Sequence, residues 1–222
     1  MTASTESKTR KNKMCYPSFD DVRARVEDAL QCFYLNDADL VHINAHERSM
    51  TFRLGMYLQL FFSDWNVDCE YNRNFCMQDY IKYLVTTPNC KKYVECKLCG
   101  KKHAGCRVFP DIIIHKRKDK ENLLVIEAKI KAGEISKQSH GNKTKIKKDK
   151  DKIEEYLKSN MFEYQYGLFI SFEASISDTL KELRWYRRGK DKKLQWYDNN
   201  GVMIPPENRT AKTRRTVKRK TV

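Results

Sequence analysis

Three charged side chains, Asp111, Glu127 and Lys129, lie within or beside two strongly apolar stretches of the chain. Burying such groups is costly unless they are paired or bind an ion. Carboxylate oxygens are ligands that divalent cations such as Mg2+ accept. A buried salt bridge between Lys129 and one carboxylate is the competing interpretation, but it leaves the second acid without a role. The three residue types together therefore favour a divalent-metal site.

An antiparallel β-hairpin is the element predicted to bring these side chains together. Residues 109–115 and 123–130 have the composition of buried strands, and the charged segment between them has the composition of a turn. If the hairpin is symmetric about Asp119, Asp111 lies opposite Glu127. Because side chains alternate along a strand, Glu127 and Lys129 share a face and Ala128 points the other way. We expect two carboxylates and one ammonium on one patch of the sheet.

The sequence Pro110-Asp111, a spacer and Glu127-Ala128-Lys129 resembles the motif of the PD-(D/E)xK nuclease superfamily, which has the restriction-endonuclease-like fold. The resemblance implies an α/β chain with an αβββαβ core, in which helices flank a mixed sheet. It implies that Asp111, Glu127 and the backbone carbonyl of Ala128 bind Mg2+ or Mn2+, and that Lys129 positions or activates water. The implied activity is hydrolysis of DNA that leaves a 5′-phosphate.

Glu47 has two interpretations. Asn44 and Glu47 have the spacing of a helix capping box, and the following apolar positions Met50, Leu54 and Leu58 form one stripe. In the nuclease superfamily the helix before the first core strand often supplies a further acid, and Glu47 matches that position. A capping role would serve the helix equally well, so both interpretations stand.

The rest of the chain supplies the other elements that such a core requires. The sequence predicts strands at residues 67–73 and 164–172, a helix at 147–159 and a further helix at 175–186. The resulting order is helix, three strands, helix and strand, and the resemblance spans residues 44–172. We expect residues 1–17 to form a disordered basic N-terminus, 18–204 the nuclease-like domain and 205–222 a disordered polybasic tail.

A second metal site is predicted in an insertion at residues 88–107, where cysteines have the spacing of a zinc knuckle. The favoured ligands of a structural Zn2+ are Cys90, Cys96, Cys99 and Cys106. His103 is an alternative to either outer cysteine, so five donors compete for four positions. Free thiols or a redox pair would be the other explanation, but exposed thiols at this density would be prone to oxidation.

The charge balance predicts a polyanionic partner. The 222 residues include 44 Lys and Arg against 29 Asp and Glu, a net charge of +15. We expect nucleic acid, DNA before RNA, to contact the lysine-rich run after the hairpin and the basic tail; the residues predicted for this role are Lys143, Lys145, Lys147, Lys148, Arg214 and Arg215. A solvated surface is the alternative for the lysine run.

The sequence shows neither a membrane-spanning stretch nor a signal peptide, so we expect a cytoplasmic protein, or a nuclear one in a eukaryotic host. Many nucleases of this class act as homodimers, and a homodimer is compatible with the resemblance. A rival function is a non-catalytic, zinc-stapled module that binds nucleic acid on a nuclease-like scaffold. An RNA-directed nuclease is a further alternative.

Overall fold

The computed structural model describes residues 16–71, 83–84, 93–95, 102–104, 106–117, 119, 121–130, 140–159, 162–189, 194–198 and 200–204. The backbone alone is described for residues 83–84, 93–95, 102–104, 106–107 and 140–145. The predicted N-terminal and C-terminal tails, apart from residues 16 and 17, lie outside the described residues. Among the described residues, no helix is long and apolar enough to cross a membrane.

The described chain is a mixed α/β structure. Its helices are α1 (Phe19–His42), α2 (Glu47–Phe61), α3 (His140–Lys158) and α4 (Ile176–Glu182). The strands of the main sheet are β1 (Asn66–Cys69), β6 (Ile112–His115), β7 (Asn122–Ile130), β8 (Tyr166–Phe172), β9 (Arg184–Arg188) and β10 (Leu194–Tyr197). The short strands β2 (Tyr83–Leu84), β3 (Tyr93–Glu95), β4 (Lys102–Ala104) and β5 (Cys106–Arg107) form two separate two-stranded sheets.

Six strands form the main sheet in the order β1-β6-β7-β8-β9-β10. Strands β7 and β8 are parallel, and every other neighbouring pair is antiparallel. The parallel pair requires a crossover, and the connection between these strands includes α3. Along the chain, α2, β1, β6, β7, α3 and β8 follow the predicted order of helix, three strands, helix and strand.

The predicted hairpin is confirmed, including its register. Strands β6 and β7 are antiparallel, and Ile112 pairs with Ile126 and Ile113 with Val125. This register continues to Asp111 and Glu127 just beyond the paired residues. A bulge between Ile114 and His115 shifts the pairing only at the turn end, so it leaves the position of the two carboxylates unchanged.

Each face of the sheet is covered by a different set of helices. Ile112, Ile126 and Ala128 belong to a core shared with α1 and α2. Ile113 and Val125 belong to a second core, which they form with α3. The alternation along β7 therefore places Glu127 on the face covered by α3, where a long charged helix can reach it.

Three predicted element boundaries are wrong. The first core strand ends at Cys69 rather than at residue 73, because Glu70 adopts a left-handed conformation with φ of 49°. The helix predicted at 175–186 ends at Glu182, and Trp185 lies in β9, because the following residues pair with β8. The helix predicted from residue 147 begins earlier, at His140.

The predicted capping box at Asn44 is also wrong. Asn44 has a φ of 53°, and the N-cap of α2 is His46, whose side chain accepts a hydrogen bond from the backbone of Arg48. Glu47 is therefore the first residue of α2, whereas a capping box requires the acid at the third helical position. Because the local capping role falls to His46, the carboxylate of Glu47 is available for tertiary contacts.

Close packing of α3 on the sheet depends on Gly167 in β8. A Cβ at this position would lie 2.4 Å from Cγ2 of Ile153 and 3.1 Å from Cδ1 of Leu157. At such distances the Ile153 side chain, or α3 together with it, has to shift. We therefore expect Gly167→Ala to destabilise the fold by about 1–3 kcal/mol, the usual cost of overpacking.

Chemical denaturation of Gly167→Ala, Ile153→Ala and the double variant tests this contact. Removing Cγ2 of Ile153 relieves the clash, so the double variant should lose less stability than the sum of the two single variants. Strict additivity of the two losses would contradict the proposed clash.

Candidate functional site

Four elements bring charged side chains together at the end of the hairpin away from its turn. Asp111 precedes β6, Glu127 and Lys129 lie in β7, and Glu47 begins α2. Helix α3 crosses the same region and adds Asp149 and Lys152. The three hairpin residues and Glu47, which the sequence singled out, therefore lie within one connected cluster.

Asp111 is fixed by the backbone of the opposite strand. Its Oδ2 accepts a hydrogen bond from the backbone N–H of Ala128 at 2.8 Å. No hydrogen bond from a described residue reaches its other oxygen, Oδ1. Burial raises the pKa of Asp111 to about 6, even though the Ala128 hydrogen bond and the charge of Lys129 act in the opposite direction. The carboxylate is thus held in place, and the positive charge around it does not fully offset the cost of burying its ionised form.

Glu127 is the most deeply buried acid of the cluster, with 1% of its surface exposed. Its Oε2 accepts a hydrogen bond from Lys152 Nζ at 3.2 Å, and its Oε1 accepts one from the hydroxyl of Tyr156 at 3.3 Å. Burial, followed by the neighbouring charge of Asp111, raises the pKa of Glu127 to about 8. Lys152 offsets this only in part. A further cation beside Asp111 and Glu127 would stabilise both ionised carboxylates.

Lys129 does not pair with either hairpin carboxylate. Its Nζ donates to Glu47 Oε1 at 2.7 Å and lies 3.4 Å from Asp149 Oδ2. Burial lowers the pKa of Lys129, but the Glu47 hydrogen bond and the charge of Asp149 outweigh it and the pKa is raised. The salt bridge offered as the competing interpretation, from Lys129 to Asp111 or Glu127, is therefore absent from the described contacts, and the ammonium stays protonated.

Asp149 connects the two lysines of the cluster. Its carboxylate lies 2.7 Å from Lys152 Nζ as well as 3.4 Å from Lys129 Nζ, and the residue is 6% exposed. Four carboxyl groups thus face two ammonium groups, since Glu47, Asp111 and Glu127 complete the set. Full ionisation leaves two negative charges, which one divalent cation would balance.

The carboxylate oxygens of the cluster are suitable ligands for a hard divalent cation, but in this structure a lysine ammonium contacts one of them. Among the residues with described side chains, no three His, Cys, Asp or Glu side chains lie close enough to form a ready metal-binding group. Lys152 occupies Glu127 Oε2 from one side. Asp111 Oδ1 and the raised pKa values of both acids are the features that fit a cation.

Asp149, Lys152 and Tyr156 are site residues that the sequence reasoning missed. A usable signal was present, because Ile153, Tyr156 and Leu157 mark the buried face of α3. Positions 149 and 152 precede Ile153 and Tyr156 by four residues each and hence lie on that same face. The sequence analysis includes these charged residues in a lysine-rich run with two interpretations, phosphate contact or a solvated surface, and neither places them at the cluster.

The remaining predicted site residues are placed only in part. Lys147 and Lys148 are exposed on α3, whereas the backbones alone of Lys143 and Lys145 are described, and Arg214 and Arg215 lie outside the described residues. Of the predicted zinc ligands, Cys90, Cys96 and Cys99 lie outside the description. His103 and Cys106 have a described backbone in β4 and β5. The zinc site stays a prediction.

Removing the charge of Asp149 tests its bridging position. In Asp149→Asn the pKa of Lys129 and of Lys152 should fall, because both lose a raising charge. We expect NMR titration of the two lysine ammonium groups to show this fall. The matched control is Asp151→Asn, an exposed change on the same helix. Equal lysine pKa values in the two variants would contradict the bridging role.

Comparison of the chain with protein-family models, with curated proteins and with solved structures found no match.

Proposed function

We propose that this protein is a metal-dependent nuclease that hydrolyses phosphodiester bonds of DNA. The observation that carries the proposal is the position of Asp111 opposite Glu127, one residue beyond the paired residues of β6 and β7, in a cluster with two more carboxylates than ammonium groups. The resemblance of Pro110-Asp111 and Glu127-Ala128-Lys129 to the PD-(D/E)xK motif supports the same conclusion. The order of helix, three strands, helix and strand also suits the restriction-endonuclease-like core.

Asp111, Glu127 and the backbone carbonyl of Ala128 would hold Mg2+ or Mn2+. The ion would stabilise negative charge that develops on the scissile phosphate and lower the pKa of a bound water. To bind it, Glu127 must exchange the Lys152 ammonium for the ion. Lys152 keeps Asp149 as a partner when it moves, because its Nζ lies closer to Asp149 Oδ1 than to Glu127 Oε2.

Lys129 acts as a hydrogen-bond donor. Its raised pKa keeps the amine protonated, so it cannot accept a proton from water at neutral pH. The ammonium can instead orient the attacking water or neutralise a phosphate oxygen. Glu47 and Asp149 hold it in position from two helices.

The net charge of +15 supports a polyanionic substrate. Exposed Lys147 and Lys148 lie on α3, the helix that also reaches the cluster. Phosphate contacts from such lysines would bring a strand to the site and would weaken with added salt.

The test is cleavage of plasmid and single-stranded DNA by purified protein. We expect cleavage in Mg2+ or Mn2+, none in EDTA, and a 5′-phosphate on the product. DNA binding with unchanged affinity in EDTA and no turnover in either metal would favour the rival non-catalytic module. Cleavage of RNA alone would replace the DNA substrate and keep the chemistry.

A further inference from the structure

A cavity lies at β9 and β10 and is lined in part by α3. Its volume is about 260 Å3, and its lining includes Lys150, Arg184, Tyr186 and Trp196. This volume is slightly below the range of about 300–1,000 Å3 typical of ligand pockets. The cavity can therefore hold one small planar group with an attached anion rather than a long ligand.

The two cations of this cavity differ in how far nearby acids neutralise them. Lys150 Nζ lies 4.8 Å from the centre of the Phe169 ring, and no described carboxylate is within ion-pairing distance of it. Burial, then the charge of Arg184, lowers the pKa of Lys150. Arg184 Nη1 donates to the carbonyls of Lys181 and Leu183 at 3.0 and 2.8 Å, which fixes the guanidinium. Arg184 Nη2 also lies 3.6 Å from Oε2 of Glu182, a half-exposed carboxylate. Lys150 is thus the half-buried cation without an ion pair among the described residues, and Arg184 adds partly neutralised positive charge beside it.

Aromatic side chains form another part of the cavity wall. Trp196 is half-buried, and its ring meets that of buried Tyr186 edge to face, with 5.8 Å between the ring centres. Tyr186 and Trp196 are register partners in β9 and β10. An aromatic face beside cations is the combination that binds an unpaired base together with its phosphate.

The cavity is aligned with the acidic cluster by the register of the sheet. Glu127 pairs with Phe169, and Phe169 pairs with Arg184, so the three residues form one row on the face covered by α3. Two strand spacings separate Glu127 from Arg184, which is about 10 Å between their Cα atoms. A strand whose phosphate lies at the cluster could therefore place a neighbouring nucleotide at the cavity.

We propose that this cavity binds one unpaired nucleotide, with the base against Trp196 and the phosphate between Lys150 and Arg184. A cavity of about 260 Å3 has room for one base and not for a base pair, so the site selects single-stranded or locally opened nucleic acid. The placement of this nucleotide next to the cleaved bond rests on the proposed nuclease function. Binding in the cavity does not.

Binding of adenosine 5′-monophosphate to the full chain in Mg2+-free buffer, measured by titration calorimetry, tests the proposal. We expect saturable binding with a Kd of about 1 mM or below, which a charge-assisted phosphate contact and one stacked base can supply. Lys150→Gln should weaken it about tenfold or more. The matched control Lys158→Gln removes an exposed charge at the C-terminal end of α3 and should not change it.

One further variant, Trp196→Leu, and one further ligand, inorganic phosphate, separate the parts of the site. Trp196→Leu should weaken binding of the nucleotide and leave binding of inorganic phosphate unchanged. No saturable nucleotide binding by the wild type, equal losses in Lys150→Gln and Lys158→Gln, or inorganic phosphate binding as tightly as the nucleotide would each overturn the proposal. Nucleotide binding without DNA cleavage would defeat the nuclease function and leave the cavity's role intact, and cleavage without nucleotide binding would do the reverse.

Discussion

Asp111→Asn is expected to reduce the rate of Mg2+-dependent DNA cleavage at least about a thousandfold, the upper end for loss of one electrostatic group in an active site. The asparagine oxygen can still accept the hydrogen bond that the Ala128 N–H donates to Asp111. The substitution therefore removes the charge that a cation requires and keeps the local backbone contact. Because the pKa of Asp111 is raised to about 6 by burial, a neutral side chain should not weaken the metal-free fold.

The measurement is the single-turnover rate of plasmid nicking at saturating Mg2+. Mg2+ should also stabilise the wild type against thermal unfolding and stabilise Asp111→Asn much less, since only the wild type keeps both acids. Asp119→Asn is the matched control, because it makes the same charge change in the exposed turn of the same hairpin. It should cleave at the wild-type rate.

Lys129→Ala provides the independent half of this test. Its ammonium is a donor held by Glu47 and Asp149, so its loss should abolish cleavage while Mg2+-induced stabilisation persists. Cleavage that survives in both Asp111→Asn and Lys129→Ala would end the nuclease proposal. A loss of Mg2+ stabilisation in Lys129→Ala would instead show that the lysine helps to form the metal site.

The metal-free protein should lose stability as the pH rises from about 5 to 8. Glu127 has a pKa of about 8 in the folded protein, above the ordinary value of 4.5 for an unfolded chain, so the folded state binds more protons throughout this interval. Because the folded state binds more protons than the unfolded state, the free energy of unfolding falls as the pH rises and Glu127 has to ionise while buried. We expect a decrease of about 3 kcal/mol between pH 5 and 8 from this group.

Asp111 adds to the lower part of the same interval, because its pKa is also raised, to about 6. Asp68 does not interfere there. Its hydrogen bonds with His115 and Arg117 outweigh its burial and lower its pKa, so its contribution is lost only under strongly acidic conditions. Urea denaturation in Mg2+-free buffer at several pH values measures the slope directly.

Glu127→Gln should flatten this pH dependence, since the amide does not titrate. Glu155→Gln, which removes a carboxyl group on the outer side of α3, should keep the wild-type slope. Mg2+ should restore stability most at pH 8, where ionised Glu127 is most costly to bury. A metal-free stability that is constant between pH 5 and 8 would contradict the raised pKa of Glu127 and weaken the case for a cation there.

The hairpin and its register could be predicted from the sequence because the determinants are local. Ile112 to Ile114 and Leu123 to Ile126 are continuous apolar runs, and the turn between them is short and charged. Short connections restrict the pairing of their strands, so Asp111 and Glu127 had to meet. The N-cap of α2 was predicted wrongly because the spacing of Asn44 and Glu47 fits a capping box. The backbone conformation, which this spacing does not specify, makes His46 the N-cap instead.

The sequence by itself determined the two opposed carboxylates and the face that Glu127 shares with Lys129, because side-chain alternation acts over a few residues. The net charge of +15 is also set by the sequence alone, and it predicts a polyanionic partner. Only the tertiary structure decided which charges neutralise one another. Lys129 joins Glu47 and Asp149, and Lys152 joins Glu127, since α2 and α3 reach β7 from different directions. These contacts depend on how helices cross a sheet, and residues up to 82 positions apart meet there.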